Sequence, residues 1–234
     1  MRASILLLCL LFSFNLFAQR DKKKVANLRS FDERPLHFGF LIGFNTMDFR
    51  VYNSGAGVKP DGSPIYGEVI QLKPGLNIGI VSSYRLRKDL NLRFLPGISF
   101  GQRDISFIDE NGVIEEEPLK IKSTFLEFPL LLKYNALRMH NAKPYIIAGV
   151  NARYDLAKNK QDRLLLKSLD GYIEAGAGVD MYLAYFRLSI ELKTSIGLLD
   201  MLDPKGTGEP GDEIYTNALD GLKSRLFCLT FYFE

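Results

Sequence analysis

The sequence has little of the chemistry that metal sites and disulfides need. Its 234 residues include no tryptophan, two cysteines and two histidines. Cys9 lies inside an apolar N-terminal run that has the pattern of a removable signal, which leaves Cys228 without a partner for an intramolecular disulfide. His37 and His140 are far apart, with no cysteine or carboxylate pattern between them, so we expect no metal site and no cofactor.

The chain also lacks long hydrophobic runs. No segment after the N-terminal run has 18 consecutive apolar residues, so no spanning helix is predicted. If the protein resides in a membrane it must cross with strands, and only a closed barrel allows that. The formal net charge of +3, from 30 basic and 27 acidic side chains, gives no reason to expect a nucleic-acid partner.

The first residues have the pattern of an export signal. Arg2 supplies a positive start, the run from Ile5 to Phe17 is almost wholly apolar, and Ala18 offers a cleavage point. The run is too short for a membrane anchor, because a spanning helix needs about 20 apolar residues. We therefore predict that residues 1–18 form a signal peptide.

Most of the remaining chain alternates between two kinds of side chain. From Leu90 to Arg103 the even positions as far as Phe100 are apolar, whereas most odd positions are polar, charged or glycine. A period of two is typical of a β-strand that lies between two unlike environments. Eight segments show it: 36–51, 71–86, 90–103, 120–134, 144–156, 172–183, 185–198 and 223–234. Eight strands form the smallest closed membrane barrel, and its interior is just wide enough for side chains to fill.

Glycine indicates which face of these segments is crowded. Of the 20 glycines, ten lie in the segments, and all ten are on the charged face. Glycine weakens a strand unless another group must approach its backbone closely, so the charged face is predicted to line a narrow interior. We predict an all-β fold, an eight-stranded antiparallel up-and-down transmembrane β-barrel with a filled polar interior. A soluble barrel of lipocalin type, apolar inside around a ligand, is the alternative.

The connections alternate in length. Short or moderate links fall near 87–89, 135–143 and 183–185, whereas long polar links fall at about 52–70, 104–119, 157–171 and 199–222. Outer-membrane barrels place short turns in the periplasm and long loops outside, so both termini are expected in the periplasm. Residues 19–34, with a lysine run at Lys22 to Lys24, are predicted to be a solvated periplasmic leader, and residues 35–234 the barrel domain.

Three prolines conflict with continuous strands. Pro74, Pro96 and Pro129 fall inside predicted strands, where proline removes a ladder hydrogen bond. A closed barrel has no edge strand on which to place them, so we expect bulges or local bends at these positions. The strand boundaries are least defined there.

The charged face carries both signs, which favours interior ion pairs. We predict that Glu127 pairs with Lys133 or Arg93, and that Glu191 pairs with Arg187, to fill and stiffen the lumen. A proton or ion path is the alternative. The sequence has no nucleophile elbow, catalytic triad or phosphate-binding motif, so we predict no enzyme and no catalytic residues. Acidic stretches at 115–117 and 203–213 lack EF-hand spacing and are predicted to be solvated loops rather than calcium sites.

Several of these strands resemble the PorT family, the outer-membrane β-barrel proteins of Bacteroidota tied to type IX secretion and gliding motility. The likeness runs in order from about residue 30 to the end, and its most particular parts are LHFGFLIGFNTMDF and LRFLPGISFGQRDISF. The stretches that carry it are 36–51, 91–107, 124–134, 143–155 and 172–186. The resemblance offers no catalytic residue, and the long loops, such as 204–212, do not share it.

The resemblance implies a function in protein export. We expect an integral outer-membrane barrel that is a non-enzymatic component of the type IX secretion system and assembles with other envelope proteins. Its binding residues are unknown, and outer-membrane lipid is its expected surroundings. A general structural or adhesive surface barrel without a secretion role is the first alternative, and a soluble secreted ligand-binding barrel is the second.

Overall fold

The computed structural model describes residues 26–55, 57, 64–108, 119–156, 166–203 and 213–234, so the predicted signal peptide lies outside the described residues. Within them, no helix is long and apolar enough to cross a membrane. A short 3-10 helix spans Phe31–Glu33, and a single-turn helix α1 spans Glu213–Asn217. The strands are β1 (Leu36–Asn53), β2 (Tyr66–Leu72), β3 (Pro74–Arg85), β4 (Leu90–Phe94), β5 (Gly97–Ile108), β6 (Leu119–Asn135), β7 (Ala142–Asp155), β8 (Leu169–Tyr182), β9 (Arg187–Gly197) and β10 (Leu219–Phe233).

These strands form a closed antiparallel barrel. The sheet runs from β1 through β10, β9, β8, β7 and β6 to β4 and β3, and the pairing of β1 with β3 closes the ring. β2 and β3 follow one another along one barrel strand, as do β4 and β5, so the ring contains eight strands. The predicted eight-stranded up-and-down barrel is confirmed.

The first strand begins and the last strand ends at the same end of the barrel. Phe40 pairs with Phe233, so the first and last strands start and end together, at the end that also carries the turns at 86–89 and 183–186. We call this the short-turn end. The connections after β1, β5, β7 and β9 gather at the opposite, long-loop end.

The prolines coincide with interruptions, although not always in their own strand. Pro74 opens β3 after the break at Lys73, and Pro96 lies in the break between β4 and β5. Pro129, in contrast, lies within β6, which keeps its register with β7 from Phe125 to Asn135, so the bulge expected there is wrong. The amide of Phe128 points toward β7, so the proline nitrogen faces the interruption between β4 and β5, where no donor is needed.

The alternation of faces matches the sequence. Along β1, Leu36, Phe38, Phe40, Ile42 and Phe44 are exposed on the outside, while the residues between them point inward. All ten segment glycines point inward, and a Cβ atom added to any of them would lie within 3.0 Å of another atom. The ten are Gly39, Gly43, Gly75, Gly79, Gly97, Gly101, Gly149, Gly176, Gly178 and Gly197. The interior is therefore the crowded side, as predicted.

The strands extend further than predicted at the long-loop end. β2 starts at Tyr66, β5 continues to Ile108 and β10 starts at Leu219, all inside stretches predicted to be loops. The inward row changes character there, because Phe49, Ile105 and Phe107 are inward but apolar. At this level, charged side chains no longer lie on one face with apolar side chains on the other. The sequence pattern therefore failed to reveal these strand ends.

Candidate functional site: the closed barrel interior

The middle of the barrel is filled by two groups of buried ion pairs. In the first, near the short-turn end, the guanidinium of Arg93 contacts Glu191 at 3.1 Å and Glu234 at 3.2 Å, and all three side chains are fully buried. The ammonium of Lys133 contacts Asp180 at 2.7 Å. Arg187 joins the two pairs, since it lies 2.5 Å from Glu234 and 3.7 Å from Asp180.

The second group lies nearer the long-loop end and centres on Glu174. This carboxylate contacts Lys193 at 2.7 Å and Arg153 at 3.7 Å, and it accepts hydrogen bonds from Asn151 and Ser195, each at 2.9 Å. Buried charges are stable only when they are paired and hydrogen-bonded, and the Glu174 carboxylate meets both conditions.

The interior pairing predicted from the sequence has the right residues but the wrong partners. Glu127 contacts Arg153 at 3.1 Å rather than Lys133 or Arg93. Glu191 contacts Arg93, whereas Arg187 contacts Glu234 and Asp180. Glu191 and Arg187 are four residues apart on one strand, about 13 Å at the usual rise, so they cannot meet. Glu127 and Arg153, in contrast, lie directly opposite in the β6–β7 register.

Aromatic rings complete the filling of the lumen. Arg93 lies 4.2 Å from the ring centre of Tyr232, and the Tyr232 and Tyr145 hydroxyls donate to Glu191 at 2.5 and 3.0 Å. A cavity beside Glu127, Lys193 and Tyr232 has a volume of about 10 Å³, close to the minimum that a single water molecule needs. Such packing leaves no continuous path through this part of the barrel.

The N-terminal segment closes the short-turn end. Asp32 accepts hydrogen bonds from the Tyr182 hydroxyl at 2.8 Å and from Lys143 at 3.3 Å, and its carbonyl accepts one from Arg85 at 2.5 Å. Phe31 stacks on His37 with ring centres 4.4 Å apart. We call residues 27–33 the N-terminal plug.

Residues at the first part of the plug are also held by the barrel. The Asn27 amide nitrogen donates to the Asn141 side chain at 2.9 Å, and the Asn27 side chain donates to the Tyr182 carbonyl at 3.1 Å. Arg138 donates to the Asn27 carbonyl. Residues 27–33 are therefore docked rather than solvated, which corrects the expectation for this part of residues 19–34; residues 19–25 lie outside the described part. Their polar composition gave no signal for docking, because the socket is built from β3, β7, β8 and the 136–141 turn.

An apolar cluster closes the long-loop end. It joins inward residues of β1, β5, β6 and β10 to Ile65, Met201 and Leu202 from the connections. The full cluster is Phe49, Ile65, Ile105, Phe107, Ile121, Met201, Leu202, Ala218, Leu219 and Leu222. Hydrogen bonds from the Leu202 and Leu222 amides to Asp200, at 3.1 and 2.9 Å, hold residues 200–202 against β10.

The outer wall is a belt of large apolar side chains. Phe38 is 65% exposed, Ile80 61% and Leu192 65%, and each lies on the outward row of its strand. Tyr84 and Tyr134 are exposed at the short-turn end, where an interfacial aromatic girdle was predicted. A soluble ligand-binding barrel has the opposite arrangement, with an apolar interior and a polar outside, so that alternative is wrong.

Other sites considered from the sequence are not built by the described residues. Among them, no group of three or more His, Cys, Asp or Glu side chains is arranged to hold a metal ion. Residues 115–117 and most of 203–213 lie outside the described part of the chain. Cys228 is buried on the inward face of β10 and forms no disulfide.

A family model agrees with this architecture. It is described as "Outer membrane protein beta-barrel domain" and matches residues 17–203. No curated protein sequence matches significantly. Among solved structures, Ail, the attachment invasion locus protein of Yersinia pestis, is 14% identical in its complex with the heparin analogue sucrose octasulfate, covering 84% of this chain and 96% of that one with a TM-score of 0.37. OprG from Pseudomonas aeruginosa is 17% identical, covering 84% of this chain and 91% of that one with a TM-score of 0.39.

Proposed function

Because the chain belongs to the outer membrane protein beta-barrel domain family, it is an outer-membrane barrel, and we propose that it is a non-enzymatic component required for export by the type IX secretion system. The observation that supports a non-enzymatic role is the closed interior. Buried ion pairs fill the middle of the lumen, and the N-terminal plug and the apolar cluster cover its two ends. A barrel without an internal path acts through its surfaces, by assembling with other envelope proteins.

The secretion role itself rests on the PorT resemblance. The stretches that carry it most specifically form β1 and the β4–β5 strand, which are adjacent to β3 on either side in the barrel. Together they supply much of one side of the wall. Contacts with other secretion proteins would then use this wall, the long loops or the residues before the N-terminal plug.

A clean deletion of the gene tests the role in export. Type IX cargo should be lost from the medium and accumulate in the periplasm, and the intact gene supplied on a plasmid should restore export. Cargo of a different export route serves as the control and should be unaffected. Normal type IX export in the deletion strain would refute the role, and general leakage of both cargo types would favour a structural surface barrel instead.

The partners follow from the same proposal. Affinity purification of the tagged protein from detergent-solubilised outer membrane should recover other type IX envelope proteins in defined ratios. Recovery of the barrel alone, under detergent conditions that preserve known envelope complexes, would contradict an assembly role.

We also propose that the short-turn end lies in the periplasm, because the short turns, the start of β1 and the end of β10 are at that end. A membrane-impermeant maleimide applied to intact cells checks this orientation. An Asn217→Cys variant at the long-loop end should react, whereas a Lys88→Cys variant in the short turn after β3 should stay protected until the outer membrane is permeabilised. Labelling of Lys88→Cys but not of Asn217→Cys would show that the barrel has the opposite orientation in the membrane.

A further inference from the structure

The barrel wall has a seam at the long-loop end. β1 pairs with β3 down to the Thr46–Pro74 pair, and beyond it β1 pairs with β10 alone while β2 pairs with β5 alone. Among the described residues, no backbone hydrogen bond joins 47–53 of β1 to 66–72 of β2. Two strand edges therefore face each other without a ladder between them.

The backbone groups that point into the seam can be identified. Along a strand, successive amides point to opposite sides. The Pro35 carbonyl accepts a hydrogen bond from the backbone amide of Arg85 in β3, and the Ser54 backbone amide donates to the Ala218 carbonyl beside β10. The backbone N–H and C=O groups of odd residues in β1 therefore point toward β3, and those of even residues point toward β10. The backbone N–H and C=O groups of Met47, Phe49 and Val51 consequently point into the seam.

One side chain already occupies the seam as a peptide group would. The side-chain nitrogen of Asn53 (Nδ2) donates to the Gly67 carbonyl at 3.2 Å, and its side-chain oxygen (Oδ1) accepts from the Gly67 backbone amide at 2.8 Å. A side-chain amide thus satisfies the β2 edge with the donor and acceptor pair that a neighbouring strand supplies. Asn53 and Gly67 are also the pair that the β1–β3 register predicts when it is continued upward.

The surroundings of the seam suit a polar, extended chain rather than a lipid. A groove of about 550 Å³ runs along it, and Asp48, Arg50, Glu68 and Arg225 line its outer side. The outward row of β1 is apolar only as far as Phe44, so the seam begins above the lipid-facing belt. Charges of both signs and unmatched backbone groups together favour a polypeptide.

We propose that an extended segment of a partner protein adds to the barrel at this seam, as a strand along the β1 edge. Hydrogen-bonded strands lie 4.7–4.9 Å apart, so an added strand needs β1 and β2 about twice that far apart. β2 can move away from β1 once the Asn53 side chain releases Gly67, because among the described residues the only backbone ladder of β2 is with β5 and the break at Lys73 separates it from β3. The inference goes beyond the role in export and does not depend on it.

Peptide binding to the full mature chain in detergent micelles tests the seam. The probe is a fluorescein-labelled peptide, YGEVIQLK, which copies residues 66–73 and can pair with β1 in the existing register. It should bind saturably, and a peptide with proline at the valine position should bind at least tenfold more weakly. Absence of saturable binding, or equal binding of the proline peptide, would overturn the proposal.

Two protein variants locate the binding. Val51→Pro removes an amide that points into the seam and leaves the amides that bond to β10, so peptide affinity should fall at least tenfold while Val51→Ala binds like the unaltered chain.

A disulfide between Tyr52→Cys and Glu68→Cys, in a Cys228→Ser background, should close the seam and block binding until it is reduced. A matched disulfide from Phe38→Cys to Ser82→Cys, where β1 and β3 are already paired, should change nothing. Binding that ignores the seam disulfide would show that the peptide lies elsewhere, even if Val51→Pro fails to fold.

Discussion

Asp32 is the residue that connects the N-terminal plug to the charges of the barrel. Its carboxylate faces Tyr182 and Lys143, with Arg187 3.7 Å away. Hydrogen bonds to a charged group contribute about 1.5–3 kcal/mol, so loss of the carboxylate should raise the undocked fraction of the plug roughly tenfold to a hundredfold. In an Asp32→Ala variant, trypsin should cut after Arg29 correspondingly faster than in the unaltered protein.

The neighbouring acid provides a matched control for this prediction. Glu33 is exposed and lies in the same short helix, so Glu33→Ala should leave the cleavage rate unchanged. Equal cleavage of both variants would mean that Asp32 does not hold the plug.

Glu174 has the opposite situation, because it lies deep in the lumen and is fully buried. A Glu174→Gln variant keeps the shape but leaves Lys193 and Arg153 with less opposing charge in a buried site. Breaking a buried pair in this way costs about 3–5 kcal/mol. Urea unfolding in detergent should show a loss of that order, whereas the exposed control Asp89→Asn should stay within about 0.5 kcal/mol. A small loss for Glu174→Gln would show that water or a rearranged neighbour replaces the carboxylate.

The residue scale also shows where sequence reasoning ends. Alternation predicted that Glu127, Glu191, Arg93, Lys133 and Arg187 are interior, and they are buried. Their partners depend on strand register and barrel shear, which join residues of different strands such as Lys133 of β6 and Asp180 of β8. A single sequence carries no direct signal for that register, so pairs chosen within one strand were wrong.

At the scale of single strands, glycine sets how closely neighbours pack. On β7, a methyl group added to Gly149 would lie 2.8 Å from Leu131 Cα and closer still to the Leu130 carbonyl oxygen. Both are backbone atoms of β6 that cannot move without disturbing the ladder. Gly149→Ala should therefore destabilise the barrel by about 1–3 kcal/mol, measured as a lower temperature for loss of the compact gel band.

Gly171 on β8 is the matched control for Gly149. A Cβ atom there meets nothing within 4 Å, so Gly171→Ala should change the transition little. If the two variants behaved alike, crowding would not explain why the inward face carries the glycines.

Strand number and direction could be predicted because lipid outside and charge inside impose a period of two on every membrane-spanning stretch. Strand ends could not. Beyond the belt the outside of β1 is polar at Asp48 and Arg50, while the inside is apolar at Met47 and Phe49. The alternation continues there with its two faces reversed. The predicted segment 36–51 still ends within two residues of β1, but the parts of β2, β5 and β10 at this level fell within predicted loops. The seam lies in this zone. The sequence did not reveal it, because most of β2 fell within the predicted loop at 52–70.

At the scale of the whole molecule, the described residues close the barrel at three levels, which predicts that it forms no open pore. The N-terminal plug covers the short-turn end, buried ion pairs fill the middle, and the apolar cluster covers the long-loop end. Arg187 is shared, because it belongs to the central ion pairs and also lies 3.7 Å from Asp32 of the plug. The pairs Arg93–Glu191 and Lys193–Glu174 join barrel strands to each other, so they should stay in place when the plug undocks. A change that destabilises the docking of the plug should therefore leave the permeability of the barrel unchanged.

Conductance in planar bilayers tests whether undocking the plug changes the permeability of the barrel. The purified protein should give no conductance above that of the empty membrane, and Asp32→Ala should give none either, although its plug is released, because Arg93, Glu191 and Glu174 still fill the lumen. Replacing the two central clusters together is the change that should open a path, since a small eight-stranded interior is blocked by its own side chains. Steady conductance from the unaltered barrel would contradict the filled lumen and favour an ion path. Conductance from Asp32→Ala alone would place the barrier at the plug rather than at the buried ion pairs.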